Sequence, residues 1–258
     1  MKSLNGRELV GYIKERQAKQ VRFLRGRKIL PKLAIFYDND SPVIAKYMSL
    51  KQKYGDDIGI AVEIQKINPE NAEQLLKAAA GDAATTGIIV QLPLAEVSMN
   101  VLDLIPIEKD VDGLRGMSDT ATAMAIHWLL TGYDIDIKSK KIAIVGHGKL
   151  VGAPLEKMWR ESGYNVTVFD KGDDISKLNE YNLIVTATGV PGLIKSEMVQ
   201  PGAVVVDAGT ASEGGVIKGD LDEAARERDD FIVTPKIGGV GPLTVAMLFE
   251  KVIQAASK

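Results

Sequence analysis

The chain has 258 residues, 45% hydrophobic and 26% charged, with a net charge of -2 and no cysteine, a composition that supports a globular core in one large or two modest domains. It excludes disulfides, thiolate metal sites and cysteine nucleophiles, and it lacks the basic footprint of a nucleic-acid or membrane-surface binder. The opening MKSLNGRELVGYIKERQAKQ is charged throughout, unlike a signal or transit sequence, and no apolar run approaches the ~20 residues of a membrane span, so a cytoplasmic protein with neither nucleic-acid nor membrane partners is expected.

Residues 4–23 have helical periodicity, with Leu4, Leu9, Val10 and Ile13 on one side. Residues 33–37 form a short apolar run ending in Asp38-Asn39-Asp40, which reads as a strand and a turn. Ser41 suits an N-cap and Pro42 the first turn of a helix that carries Tyr47, Lys51 and Tyr54. A strand over residues 59–64, a helix over 69–80 ending near Gly81, and a strand over 87–92 stopped by Pro93 follow. This alternation indicates a parallel α/β sheet. Residues 105–117, with Pro106, Gly113 and Gly116, read as a linker with a hinge over 113–117. A helix over about 120–130 leads to a strand over 141–145, then strands over 165–169, 183–186, 203–207 and 231–234. The last helix runs from near Pro242 to near Ala256 and, on the residues alone, suits either half.

After the strand ending at Val145 comes Gly146-His147-Gly148-Lys149-Leu150-Val151-Gly152, a G-x-G-x-x-x-G loop before a helix. Glycines there let the backbone turn tightly and approach a pyrophosphate, and the helix N-terminus offers free N–H groups to it. The next strand ends at Asp170, where an acid accepts from the ribose hydroxyls of a dinucleotide. Strand, loop, helix, strand and acid in this order predict a Rossmann-type dinucleotide-binding domain. A carboxylate at Asp170 repels a 2′-phosphate by about 4 kcal/mol at ~4 Å, before screening. NAD is therefore the preferred cofactor, and NADP the alternative that Lys149 or Lys171 would have to accommodate.

Tyr47 and Lys51 are four apart and share a helix face. With Val90-Gln91-Leu92-Pro93-Leu94, Lys109-Asp110-Val111-Asp112-Gly113, the glycine loop and Gly238-Gly239-Val240-Gly241-Pro242-Leu243-Thr244, in this order, the chain resembles the methylenetetrahydrofolate dehydrogenase/cyclohydrolase family over nearly its whole length. The resemblance implies two α/β domains with a cleft between them: a catalytic, folate-binding domain of residues 1–117 plus 242–258, with the last helix returning to it, and a Rossmann NAD(P)-binding domain of residues 118–241. It implies oxidation of 5,10-methylenetetrahydrofolate with NAD(P), then hydrolysis of the methenyl product to 10-formyltetrahydrofolate. Lys51 would be the catalytic lysine, Tyr47 its neighbour against the folate ring, Gln91 the group orienting the lysine, and Asp112 the acceptor for the pterin's polar edge. Gly241, Pro242 and Thr244 join Tyr47 and Asp112 as substrate-binding residues. Gly146, His147, Gly148, Lys149, Gly152, Asp170, Thr188, Gly189 and Thr210 make the cofactor-binding set. A homodimer paired through the Rossmann domain is implied, and no catalytic metal. Lys51 acts either as a base of lowered pKa or as a cation that positions water; the residues do not choose.

The sequence also departs from the family. Its usual P-C-T-P-x-G string is Thr120-Ala121-Thr122-Ala123-Met124-Ala125 here, and the usual arginine and serine of the glycine loop are His147 and Gly148. A histidine after the second Rossmann strand is Asp170, and a serine before the tyrosine is Ile44. Lys236 adds a positive charge beside the Gly238-Gly239 string. His147 either donates to a phosphate or faces solvent, and His127 reads as structural. These departures leave two alternatives, a monofunctional NAD-dependent dehydrogenase and a non-catalytic folate- or nucleotide-binding regulator.

Overall fold

Apolar runs alternate with amphipathic stretches along the chain, and the runs become strands of parallel sheets covered by the stretches between them. The computed structural model describes residues 3–116, 119–209, 211–213 and 216–258. Its contacts divide into two α/β units, Gly11–Ala121 with Val245–Lys258, and residues 3–10 with Thr122–Thr244. Residues 3–10 group with the second unit because Ser3 bridges Val233 and the Leu4 N–H donates to the Val233 carbonyl at 3.0 Å.

The first unit takes most of helix α1 (Gly6–Gly26) and a sheet whose central strand is β1 (Lys32–Tyr37). Helix α2 (Pro42–Ile58) starts on Ser41, whose hydroxyl accepts the Ile44 N–H at 3.3 Å. It ends at Gly59, which takes a left-handed φ of 83° as the C-cap. Strand β2 (Ala61–Lys66) therefore begins two residues later than the sequence suggests. Helix α3 (Ala72–Gly81) begins after Pro69 and not on it, because Asn68 Oδ1 accepts the N–H groups of Glu70 and Asn71 and turns the chain first. Strand β3 (Gly87–Val90) completes a parallel sheet of order β2-β1-β3, with Leu33 opposite both Val62 and Gly87. Ala34, Phe36, Leu76, Ile88, Val90 and Leu102 form its core.

The second unit takes all but the first residue of helix α4 (Ala121–Gly132). Strand β4 (Ile142–Val145), helix α5 (Gly152–Glu161) and strand β5 (Val166–Phe169) make a βαβ unit, joined by β6 (Leu183–Thr186) and β7 (Val204–Asp207). A hairpin of β8 (Ala211–Glu213) and β9 (Val216–Lys218), a short helix α6 (Glu223–Arg226) and strand β10 (Ile232–Val233) lead to helix α7 (Val240–Ala256). The parallel sheet has the order β10-β7-β6-β4-β5. The chain leaves β4 toward β5 on one side and returns to β6 on the other, so the loops at the ends of β4 and β6 diverge there, the switch point at which ligands bind such sheets. The sequence reading lacks the β8–β9 hairpin, whose segment ASEGGVIK carries too little apolar alternation to announce a strand pair. Among the described residues no helix is long and apolar enough to cross a membrane, and no three His or acidic side chains are grouped to hold a metal ion.

Candidate active site

Helix α2 buries Ile44, Met48, Tyr54 and Ile58 on one stripe, and Lys51 lies within that stripe. Lys51 is only 7% exposed. Its Nζ donates to Gln91 Oε1 at 2.7 Å, while Gln91 Nε2 donates to the Leu92 carbonyl at 2.9 Å. The second bond turns the oxygen end of the amide toward the lysine. Burial pushes the Lys51 ammonium below its ordinary value, and the charge of Asp112 offsets part of that. Burial pushes the Asp112 carboxyl up, against the opposing charges of Lys51 and Lys251. Tyr47, one turn before Lys51, is half-buried, and burial raises its phenol.

Two loop strings bring these groups to one end of the sheet. Gln91 follows β3 directly, and its N–H donates to the Phe36 carbonyl at 2.8 Å. Asp38, at the end of β1, accepts the N–H groups of Ala95, Glu96 and Val97, each at 2.8 Å, which ties down the loop after Gln91. Ile88 bridges Asp110, so the second string runs beside the first. Within it, Lys109 Nζ donates to the carbonyls of Ala80 and Asp82 at the end of α3, both at 2.8 Å. Asp110, 6% exposed, accepts the N–H groups of Gly113, Leu114 and Arg115. Lys109 and Asp110 thus hold backbone, and Asp112 is the acid whose charge reaches Lys51. The turn that Asp110 holds lies where the hinge of residues 113–117 is expected, but the contacts divide the chain after Ala121; Met117 lies outside the described residues.

A polar network supports α2 one turn further on. The Tyr54 hydroxyl donates to Gln17 Oε1 at 2.7 Å, and Gln17 Nε2 donates to Glu250 Oε2 and the Ala246 carbonyl, both at 2.9 Å. Arg16 also donates to Glu250, at 2.8 Å, and the Tyr54 ring stacks on Phe249. Sequence reasoning missed this network, Asp110 and Lys251. One signal was available: Glu250 and Lys251 are the only charged residues in the 17 of α7.

In the second unit, the glycine loop is shaped by backbone contacts. A Cβ on Gly152 would lie 1.8 Å from the Gly146 carbonyl oxygen, and one on Gly146, at φ 95°, would lie 2.7 Å from that of Ala187. A Cβ on Gly148 would meet nothing within 4 Å. No side chain caps the first turn of α5, but the Ala153 N–H donates to the Gly148 carbonyl at 3.2 Å and Pro154 has no N–H, so the Gly152 end of the turn is what faces an anion. Asp170 is exposed at the end of β5, and its Oδ1 accepts the His147 N–H at 3.4 Å. Close packing at the first and third glycines, open space at the second, a helix start without a side-chain cap and an exposed acid fit a dinucleotide. Lys149 is exposed on the same loop. Behind β6, the Thr188 N–H donates to buried Asp220 at 2.7 Å, and Gly189 has a φ of 68°. Thr210 lies outside the described residues.

Several expectations change. The His147 ring is neither simply solvent-facing nor unengaged: its Nε2 is 2.6 Å from Glu156 Oε2, and Arg160 Nε holds the other Glu156 oxygen at 2.7 Å. The extra charge expected at Lys236 is met by Glu223 at 2.6 Å. Residues 120–125 run into the first turns of α4, where Ala121, Ala123 and Ala125 are fully buried. His127 Nδ1 accepts from Trp159 Nε1 at 3.3 Å, joining α4 to α5. Gly241, Pro242 and Thr244 lie in the first turn of α7 and group by contacts with the glycine-loop unit, whereas Lys51, Tyr47, Gln91 and Asp112 lie together in the other.

Residues 4–112 match the family described as tetrahydrofolate dehydrogenase/cyclohydrolase, catalytic domain, and residues 120–258 match its NAD(P)-binding domain. A relative from Campylobacter jejuni called bifunctional protein FolD is 33% identical, covering 99% of this chain and 98% of its own length. One of the same description from Mycoplasmopsis synoviae is 31% identical over 98% and 99%. The crystal structure of the bifunctional methylenetetrahydrofolate dehydrogenase/cyclohydrolase from Campylobacter jejuni superimposes with a TM-score of 0.91 at 32% identity, covering 100% of this chain and 99% of that one.

Proposed function

The chain belongs to the tetrahydrofolate dehydrogenase/cyclohydrolase family, and from that premise we propose that it oxidises 5,10-methylenetetrahydrofolate to the 5,10-methenyl form and then hydrolyses that product to 10-formyltetrahydrofolate. The observation that carries this reading is Lys51, buried in an apolar helix face and held by Gln91 at 2.7 Å. When bound, the nicotinamide supplies the acceptor for the hydride that leaves the substrate's methylene carbon.

The chain's own groups bind and move protons. Burial favours the neutral Lys51 amine, which keeps a lone pair after Gln91 has taken one of its N–H groups. We assign that lone pair to the hydrolytic step. Water adds to the methenyl carbon, one water proton passes to Lys51, and the remaining hydroxyl proton ends on the ring nitrogen as its bond to carbon opens. One proton is released overall. Asp112 as a carboxylate accepts the amino and ring N–H donors of the pterin, and Tyr47 offers its ring to the folate. Gly241, Pro242 and Thr244 are assigned to the folate as well. The folate chemistry is assigned to residues 1–117 with 242–258 and the dinucleotide to residues 118–241.

Of the two dinucleotides we propose NAD as the preferred one. Asp170 is exposed just after β5, which supports a role for it as the acid that accepts from the ribose in a βαβ unit, and where the family resemblance leads one to expect an arginine, His147 is bonded to the carboxylate of Glu156. We further propose a homodimer paired through the glycine-loop unit, in whose sheet β5 is an edge strand with a partner on one side only. Sedimentation at the monomer mass would oppose it. The function itself is tested by following the absorbance of the methenyl product with NAD and with NADP in turn, then its enzyme-dependent decay. Absence of oxidation with both nucleotides would overturn the reading, and a methenyl product that persists would leave a dehydrogenase alone.

A further inference from the structure

The folate site as proposed asks opposite things of two neighbours. Asp112 has to be ionised to accept two pterin donors, and Lys51 has to be neutral to accept a proton. A lone buried lysine–aspartate pair resists that division, because a buried charge without an opposite charge beside it is costly. A third charged group resolves the conflict, and α7 carries one.

Gly87 shows how close α7 comes to the string that holds Asp112. A Cβ at Gly87 would lie 2.8 Å from Val111 and 3.1 Å from Val252. The turn of α7 that includes Lys251 therefore packs on the same glycine of β3 as Val111, the residue before Asp112. Lys251 Nζ donates to the Asp119 carbonyl at 2.7 Å, which anchors the amine to the chain seven residues after Asp112. The neighbouring Glu250 is engaged elsewhere, by Arg16 and Gln17.

We propose that Lys251 is a positioning residue of the folate site, a second cation that keeps Asp112 in its ionised form while Lys51 works as a neutral amine. The charges around it agree. Burial lowers the Lys251 ammonium, and Asp110, Asp112 and Asp119 hold it up. Lys251 in turn draws the Asp112 carboxyl down against burial, alongside Lys51 and against Asp110. Removing the Lys251 charge leaves Asp112 with Lys51 as its remaining cation, so the carboxyl rises further and a larger fraction of the protein carries the protonated acid, which cannot accept both pterin donors.

This inference rests on the assignment of Asp112 to the pterin, and the test separates the two. In the full chain with saturating NAD, kcat and KM for methylenetetrahydrofolate are measured across pH for K251M, K251R and D112N, with the Tm of each. K251M keeps the buried stem and removes the charge. It is expected to move the acid limb of kcat/KM up by about one pH unit, with KM raised up to about tenfold on the acid side of that limb and less where Asp112 is ionised in both proteins. Its kcat is expected to stay within about twofold of the parent, as for a change felt in ground-state and transition-state binding alike. K251R is expected to restore both KM and the limb. A purely structural lysine would lower Tm and leave the acid limb in place. If K251M folds poorly, K251Q carries the same measurement. An unmoved limb and KM in K251M or K251Q, with D112N strongly impaired in KM, would overturn the role of Lys251 alone. An unchanged KM in D112N would overturn the pterin assignment beneath it.

Discussion

The lysine site and the glycine loop handle polarity in opposite ways. Around Lys51 the ionisable groups are buried or half-buried; Gln91 holds the lysine, and Asp112 lies under the opposing charges of Lys51 and Lys251. Around Gly146 the ionisable side chains, Asp170, Lys149 and His147, are exposed, and the shape is made by backbone packed on backbone. The first region should therefore be intolerant of changes in chemistry, and the second intolerant of added volume. The difference follows from what each ligand asks for. A reacting carbon needs a proton acceptor of adjusted basicity, whereas a pyrophosphate needs N–H groups and close approach.

The largest expected effect tests the first half of that contrast. Lys51→Met removes the amine and keeps an apolar stem of similar length, and hydrolysis of the methenyl substrate is expected to fall to the uncatalysed rate. In the parent protein the same rate should rise with pH. Because burial lowers the Lys51 ammonium, the neutral, proton-accepting fraction grows as pH climbs through that lowered value and then levels off, below the ordinary lysine range. A rate that instead falls over that interval would assign the work to the cationic form.

Volume tests the second half. Gly152→Ala would place its Cβ 1.8 Å from a backbone oxygen, a contact that no side-chain adjustment relieves. Displacement of the loop is expected to weaken dinucleotide affinity by about a hundredfold or more, a loss of roughly 3 kcal/mol. Gly148→Ala, with open space around the new atom, is expected to change it by less than about threefold, within the small range of a surface substitution. Equal effects of the two, read by titration calorimetry with NAD, would break the comparison. A smaller effect belongs to Asp170→Ser, which removes the carboxylate at the ribose. The ratio of kcat/KM for NADP over NAD should rise by about ten- to thirtyfold, less than the unscreened repulsion allows because the group is exposed.

These contrasts explain what was legible in the sequence. Every strand of the two parallel sheets was visible as an apolar run, and the errors fell at ends. The pattern puts Gly59 in a strand, whereas its left-handed φ makes it a helix cap, and puts Pro69 in a helix that Asn68 postpones. Periodicity registers faces, not caps. The glycine loop was legible because local backbone demands leave glycines at fixed spacing. In the lysine site, the strings around Lys51, Gln91 and Asp112 were distinctive, but the division of labour inside them was not. Asp110 and Asp112 are the same residue type two positions apart, and only the fold shows that one binds three backbone N–H groups while the other faces the lysine's charge. Lys251 is 139 positions from Asp112, beyond any local pattern. His147 and Glu156 are nine apart, a spacing that no helical or strand rule brings together; the loop preceding α5 does so.

That pair supplies the smallest prediction and the one that bears most directly on the second region. Glu156 is pushed up by burial but held below its ordinary value by donors from Arg160 and His147. Its folded-state depression means that any stability it contributes is present above the ordinary glutamate range and fades as pH falls through the lowered value. The His147 and Glu156 side chains remain 39% and 21% exposed, where an ion pair contributes about 0–1 kcal/mol. Glu156→Gln keeps an acceptor for one of the two donors and loses the charge. If loop shape resides in the glycines, the KM for NAD should change by less than about threefold and Tm by about 1–3 °C. A tenfold rise in KM would mean that a side-chain pair, and not the backbone, sets the geometry at the phosphates. The glycine loop would then obey the same rule as the lysine site, and Gly152→Ala would have to be read as a loss of that pair as well as a steric clash.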